Sequence, residues 1–116
     1  SHRHHSINYH ELAVADLAAA KHFYASAFGW TFNDYGPDYA GIRDGGDIEV
    51  GGIRQEPGSE QAAPLLVLYS ADLEASLAAV QAAGGRIVKE PFSFPGGRRF
   101  HFTDLAGNEL AVWSDR

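Results

Sequence analysis

Residues 15–30, ADLAAAKHFYASAFGW, decide the fold because the chain repeats their plan at residues 71–85, ADLEASLAAVQAAGG. Asp16 matches Asp72, Leu17 matches Leu73 and Gly29 matches Gly85, all at one offset of 56 positions. Asp16 and Asp72 have the chemistry of helix N-caps, since a carboxylate accepts from the orphan amides of a first turn. The apolar spacing predicts a helix from Leu17 to about Phe28, with Leu17, Ala20, Tyr24, Ala27 and Phe28 on one face. Its counterpart buries Leu73, Leu77, Val80 and Ala83. Gly29 ends the first helix, because glycine tolerates the left-handed backbone found at helix ends.

A strand-like run precedes each helix, at residues 7–14 and 65–70, and strand-like runs follow each. The aromatic run at 30–35 turns at Gly36-Pro37-Asp38 into a strand at 39–43. A second turn, Asp44-Gly45-Gly46-Asp47, leads to the weakest strand, 48–55, where Gly51 and Gly52 imply a bulge or a close approach by other groups. In the second half, residues 86–90 read as a short strand and 91–97 as a long loop. Residues 98–103 and 109–114 pair around the turn Asp104-Leu105-Ala106-Gly107-Asn108. The expected organisation is a polar, frayed or tag-like leader at 1–6, a first βαβββ module at 7–55, a linker at 56–64 and a second βαβββ module at 65–116. The fold class is α+β. Each helix covers one face of a small sheet, and the two modules are expected to form a cupped, half-barrel enclosure.

Composition narrows the function. Without cysteine there is no disulfide framework, thiolate metal site or cysteine nucleophile. A formal net charge of -6 and a single basic pair, Arg98-Arg99, argue against a nucleic-acid partner, whose affinity rests on phosphate neutralisation. No apolar run approaches membrane-spanning length, and the first residues lack a signal-peptide core, so the expected location is cytoplasmic with no membrane partner.

Several motifs together resemble the vicinal oxygen chelate superfamily, the glyoxalase I, bleomycin-resistance and extradiol-dioxygenase group. These are Asp16-Leu17 followed by Phe23-Tyr24 and Phe28-Gly29-Trp30, then Ala82-Ala83-Gly84-Gly85, Pro95-Gly96-Gly97-Arg98 and Asp104-Leu105-Ala106-Gly107-Asn108. Leu105 stands where the family turn commonly has proline. The resemblance covers residues 7–113. It implies the paired-module fold, a homodimer with or without exchanged modules, and a flap at 92–97 over a substrate. It also implies metal ligands, typically His and Glu, from the first and last strand of each module. Carried onto this chain, those positions are Tyr9, Leu65 and Ala111, with Gln55 as the repeat partner of Ala111. Leucine and alanine have no donor atoms and neutral tyrosine is a poor ligand, so the expected cofactor is none. A nonstandard divalent-metal site from Glu11, Glu49, His101 or Glu109 stays open as the alternative.

Strand alternation sends Glu11 the same way as Tyr9, with Val67 and Tyr69 from the second module and Ala111 and Trp113 from the last strand. Those six residues are the candidate ligand-binding set, an aromatic and mostly apolar pocket with one carboxylate. Glu11 is the candidate catalytic residue, a base if desolvation raises its pKa. The other reading is a Glu satisfied by Tyr or Arg. His101 faces opposite to Phe100 and Phe102, which allows proton transfer or a plain core-edge role. The function expected is binding of a small, aromatic or hydrophobic molecule in a metal-free cavity. The alternative is a lyase, isomerase or dioxygenase-type enzyme of the same superfamily.

Overall fold

The computed structural model describes residues 3–46, 48–57 and 63–116. Most of the expected linker, part of the leader and Asp47 of the second turn lie outside the described residues. The elements run β1 (Ile7–Val14), α1 (Leu17–Phe28), β2 (Thr31–Asp34), β3 (Tyr39–Arg43), β4 (Gly51–Gln55), β5 (Leu65–Tyr69), α2 (Leu73–Ala82), β6 (Arg86–Phe94), β7 (Gly97–Thr103) and β8 (Glu109–Ser114). The repeated βαβββ plan of an α+β fold is therefore present in both halves.

Two compact units divide the chain. The first, residues 9–64, orders its strands β2-β3-β4-β1. β1 runs parallel to β4, with Leu12 opposite Ile53, and β3 is antiparallel to both β2 and β4. The second, residues 65–116 with the N-terminal residues up to Asn8, orders its strands β6-β7-β8-β5, the same plan one repeat later. β5 runs parallel to β8, with Val67 opposite Ala111 and Tyr69 opposite Trp113.

Capping follows the sequence. The Asp16 carboxylate accepts from the Ala19 amide at 3.0 Å, and Asp72 accepts from Ala75 at 3.1 Å. Gly29 adopts φ 73° as the C-cap of α1. Under α1 the core is Leu17, Ala40, Ile42 and Ile53, with Leu12, Val14, Tyr24 and Phe32 against it. Under α2 it is Leu73, Phe100 and Val112, with Leu68, Leu77, Val80 and Phe102. Even-numbered β1 residues thus face the helix, which sends Tyr9 and Glu11 to the opposite face.

Three expectations need correction. The last turns of the helical faces are not core: Phe28 is 64% exposed, and Ala27 and Ala83 are exposed too, Ala83 as the C-cap of α2. Phe28 belongs to an aromatic group with Phe23, Tyr24 and Trp30, in which Tyr24 and Trp30 pack against the core and stack at 4.8 Å while Phe23 and Phe28 are exposed. The long loop at 91–97 is a hairpin instead, with β6 continuing to Phe94. Proline lacks a ladder donor, and Pro91 sits where the β6–β7 register shifts between Lys89 and Phe92 on the outermost strand of its unit. The leader, expected to fray, is tied to its unit at His4, His5 and Ser6. The His5 amide donates to the Tyr69 carbonyl, the Tyr69 amide donates to the Ser6 carbonyl, and His4 Nδ1 accepts from the Ala71 amide.

Replacing Asp72 by alanine leaves an orphan amide at the α2 N-terminus and should cost about 1 kcal/mol of stability. Urea unfolding reads this as a lower midpoint at unchanged slope.

Candidate functional site

In the first unit, the face opposite α1 carries a linked polar cluster. Glu11 is 4% exposed and uses both oxygens. Tyr39 donates its hydroxyl to Oε2 at 2.8 Å, and Arg54 donates Nη1–H to Oε1 at 2.7 Å. Arg54 also pairs with Glu56 at 2.9 Å. Glu49 accepts from three neutral donors: Tyr9 at 2.7 Å, Tyr35 at 2.6 Å and Asn33 at 3.0 Å. The Tyr9 and Tyr39 hydroxyls approach to 3.4 Å and join the two carboxylate groups.

Glycines make room for this cluster. A Cβ at Gly41 would collide with the Glu49 carboxylate, and one at Gly52 with the Tyr39 hydroxyl. Gly51 lies beneath His10 on the other face. Of the two meanings open to the glycines of β4, the structure has the close approach of neighbouring groups.

The electrostatics follow from these partners. Burial would raise the pKa of Glu49, but the hydrogen bonds from Tyr35, Asn33 and Tyr9 outweigh it and hold the carboxyl below its ordinary value. Burial, the Tyr39 contact and the bond to Glu49 push the Tyr9 phenol far above its ordinary range, so it stays a neutral donor. Glu49 is a stabilised anion, and Glu11 shares an ion pair with an arginine.

In the second unit, the face opposite α2 carries the other predicted residues. Val67, Tyr69 and Ala111 are buried. Tyr69 and Trp113 meet edge to face at 5.2 Å, and Phe94 lies 6.4 Å from Trp113. Their polar atoms are engaged: the Tyr69 hydroxyl donates to Asp115 at 2.6 Å and Trp113 Nε1–H to Asn8 at 2.9 Å. The bond to Asp115 is the first cause of a raised Tyr69 pKa. His101, 2% exposed, shares this face. Its Nδ1 lies 2.9 Å from Glu109. Burial lowers the His101 pKa, Arg99 and Lys89 push the same way, and the Glu109 bond recovers only part.

The six predicted residues thus fall into two groups, Tyr9 with Glu11 and Val67 with Tyr69, Ala111 and Trp113. The first group sits in a more polar setting than one carboxylate in an apolar lining. Sequence reasoning placed Glu49 only in a nonstandard metal site and passed over Tyr39, Tyr35, Asn33 and Arg54. Residue parity reaches Tyr39 and Arg54, since Gly41 and Gly52 lie two residues away along their strands. It does not reach Glu49, which precedes β4.

The donor set does not fit the superfamily's usual metal centre. Tyr9 spends its hydroxyl on Glu49, and Leu65 and Ala111 offer no donor. Gln55, the fourth position, caps a helix: its Oε1 accepts from the Leu17 amide at 2.8 Å. Among the described residues, no three His, Asp or Glu side chains gather in a group able to hold a metal ion.

Comparison with known proteins agrees with the topology. Residues 6–112 match the model of the Glyoxalase/Bleomycin resistance protein/Dioxygenase superfamily. "Putative glyoxylase CFP32" of Mycobacterium tuberculosis is 30% identical over 115 residues, covering 91% of this chain and 44% of that protein. The Mycobacterium bovis protein of the same name gives the same values. The chain therefore spans less than half the length of these relatives. The Mn(II)-bound glyoxalase from Novosphingobium aromaticivorans superposes with a TM-score of 0.70 at 27% identity, over 97% of this chain and 40% of that one. Methylmalonyl-CoA epimerase from Mycobacterium tuberculosis gives 0.68 at 18% identity, over 92% of this chain and 85% of that one, a likeness of fold.

Two outcomes test this geometry. Gly41→Ala should displace the Glu49 carboxylate from its three donors and raise its pKa, measured by carboxyl NMR titration. Acid should act in two windows. A depressed Glu49 contributes stability above its ordinary value of 4.5 that is lost as pH falls through the folded value. A depressed His101 resists protonation when folded, so stability should also decline as pH falls below about 6.5. His101→Leu should flatten that upper window in urea midpoints taken across pH.

Proposed function

The chain belongs to the Glyoxalase/Bleomycin resistance protein/Dioxygenase superfamily, and we propose that within it the protein binds a small aromatic or hydrophobic molecule in a cavity that works without a metal. The observation that carries this reading is the state of the two carboxylates. A general base at neutral pH needs a pKa raised toward the working range. Glu49 is shifted the other way, and both Glu11 oxygens are held by Tyr39 and Arg54. Such anions fix the hydroxyls of Tyr9, Tyr35 and Tyr39 in place. Preorganised aromatic rings with anchored polar tips suit recognition, because little side-chain freedom is lost on binding. Tyr69 and Trp113 supply further ring surface in the second unit.

An enzyme of the same superfamily is the second reading. The glyoxalase and epimerase neighbours are enzymes by name. Glu11, the most buried carboxylate of the cluster, would be the base if substrate displaced Arg54. Assembly belongs to the proposal as well. This chain covers 44% of its curated relatives, and a homodimer would bring two paired modules to roughly their length.

Calorimetry of the intact chain against small aromatic compounds, paired with product analysis, tests the proposal. The expected result is saturable binding with the compound recovered unchanged. Glu11→Gln should weaken that binding about tenfold, the scale of one charge-assisted hydrogen bond. Conversion of the compound by the wild type, abolished in Glu11→Gln with binding intact, would replace binding by catalysis. Light scattering at one chain mass would overturn the dimer.

A further inference from the structure

We propose that residues 3–6 form a pH-sensitive strap on the second unit, docked at the start of α2 while the His4 ring is neutral and released once that ring is protonated. The inference stands apart from the identity of any ligand.

The strap begins as a tight turn. The Ser6 amide and the Ser6 hydroxyl both donate to the Arg3 carbonyl, at 3.1 and 2.6 Å. The turn sets His4 and His5 side by side, with their rings stacked at 3.8 Å. His5 has φ 62°, and no other non-glycine residue among those described adopts a positive φ. A side chain in that region carries backbone strain and stays there only where its contacts hold it. Those contacts lie within the second unit. The His5 amide donates to the Tyr69 carbonyl at 2.7 Å, and the Tyr69 amide donates to the Ser6 carbonyl at 3.0 Å. His5 Nε2 lies 2.9 Å from the Ser76 hydroxyl, which is itself 2.7 Å from that of Ser70, and both serines are buried.

His4 makes the docking sensitive to acid. Its Nδ1 accepts from the Ala71 amide at 2.9 Å. A backbone amide can only donate, so Nδ1 is the bare nitrogen of a neutral ring. Once protonated, Nδ1 is a donor facing a donor, and the bond is lost. Two further effects act in the same direction. An imidazolium would sit by the positive end of the α2 dipole. Protonation of both stacked rings would also set like charges in contact, with Arg3 of the strap as a third cation.

The charged groups on the neighbouring elements leave little to oppose this. β5 brings none. On α2 the Asp72 carboxylate would attract an imidazolium, but it is engaged with the Ala75 amide at 3.1 Å. Glu74 is paired with Arg98 of β7 at 2.6 Å. Beyond β8, Asp115 accepts from the Tyr69 hydroxyl and lies 3.9 Å from Arg116. Docking is therefore present in neutral solution and lost in acid. Release reaches the predicted aromatic residues. Two residues after the strap, Asn8 accepts from Trp113 Nε1 at 2.9 Å, and Trp113 meets Tyr69 edge to face. An open strap loosens the hold on that ring pair.

Nitrogen NMR of the intact chain, titrated from about pH 8 to about pH 5 where ordinary histidines change charge, tests the strap. As His4 Nδ1 takes up its proton, the Ala71 amide should lose about tenfold of its protection from hydrogen exchange, the scale of one hydrogen bond. The Trp113 indole signal should move in step, while that of Trp30, in the other unit, stays in place. His4→Asn puts a carbonyl oxygen where Nδ1 stood, an acceptor that does not titrate, so Ala71 should keep its protection in acid. The response should survive in His101→Leu, which separates it from the buried histidine. An Ala71 amide still protected once His4 is protonated, or a Trp113 signal that does not follow, would overturn the strap. So would an acid loss as large in His4→Asn as in the wild type, or one absent in His101→Leu.

Discussion

Everything in this chain depends on the two-residue alternation of its strands. Leu12 and Val14 must face α1, because they complete the core with Ile42 and Ile53. That requirement sends Tyr9 and Glu11 to the other face, where they join the polar cluster of Tyr39, Glu49 and Arg54. The same constraint acts in the second unit. Leu68, Phe100 and Val112 belong to α2, and Val67, His101 and Ala111 go opposite. A slip of one residue would exchange the two sets and bury a carboxylate under a helix. Packing under the two helices therefore fixes which face the candidate site residues occupy.

The two faces solve the burial of charge differently. In the first unit each carboxylate is surrounded by donors, and neutral hydroxyls do most of the work at Glu49. Three short hydrogen bonds to one anion offset its desolvation and leave it stable as an anion. Close contact is possible only because Gly41 and Gly52 present bare backbone beneath Glu49 and Tyr39. In the second unit a neutral imidazole is fixed by one carboxylate, and its other nitrogen has no partner among the described residues. In the first arrangement both carboxylates are fully engaged, and Arg54 Nε is buried without a partner among the described residues.

The fold was legible because its signals are local and repeated. Asp16 and Asp72 cap as their chemistry requires, and β5, β8 and both helices begin where the sequence places them. The hairpin of β6 and β7 was not legible. Pro91 and the Pro95-Gly96 turn read as loop punctuation, whereas edge position and a register shift let the strand continue past the proline. Phe28 was assigned to the core by spacing, but it lies exposed at the rim of an aromatic group whose Tyr24 and Trp30 reach the core. The candidate site was half legible. Parity put Tyr9, Glu11, Val67, Tyr69, Ala111 and Trp113 on the strand faces opposite the helices. Glu49 reaches its partners from outside a strand, and no periodicity describes such a residue. Arg54 and Tyr39 were within reach of parity, and their pairing with Glu11 is the satisfied arrangement weighed against a base.

The proposal on which the functional reading turns is that the protein works without a metal, since Leu65 and Ala111 have no donor atoms and Tyr9 and Gln55 are engaged elsewhere. Equilibrium dialysis of the intact chain against Ni(II), Zn(II), Mn(II) and Fe(II) tests it, with histidine ring signals followed by NMR to recognise capture by the neighbouring His4 and His5, whose rings stack at 3.8 Å. The account predicts that any metal retained is weakly held and perturbs only those two rings. One tightly held ion per chain that leaves His4 and His5 unmoved would contradict it.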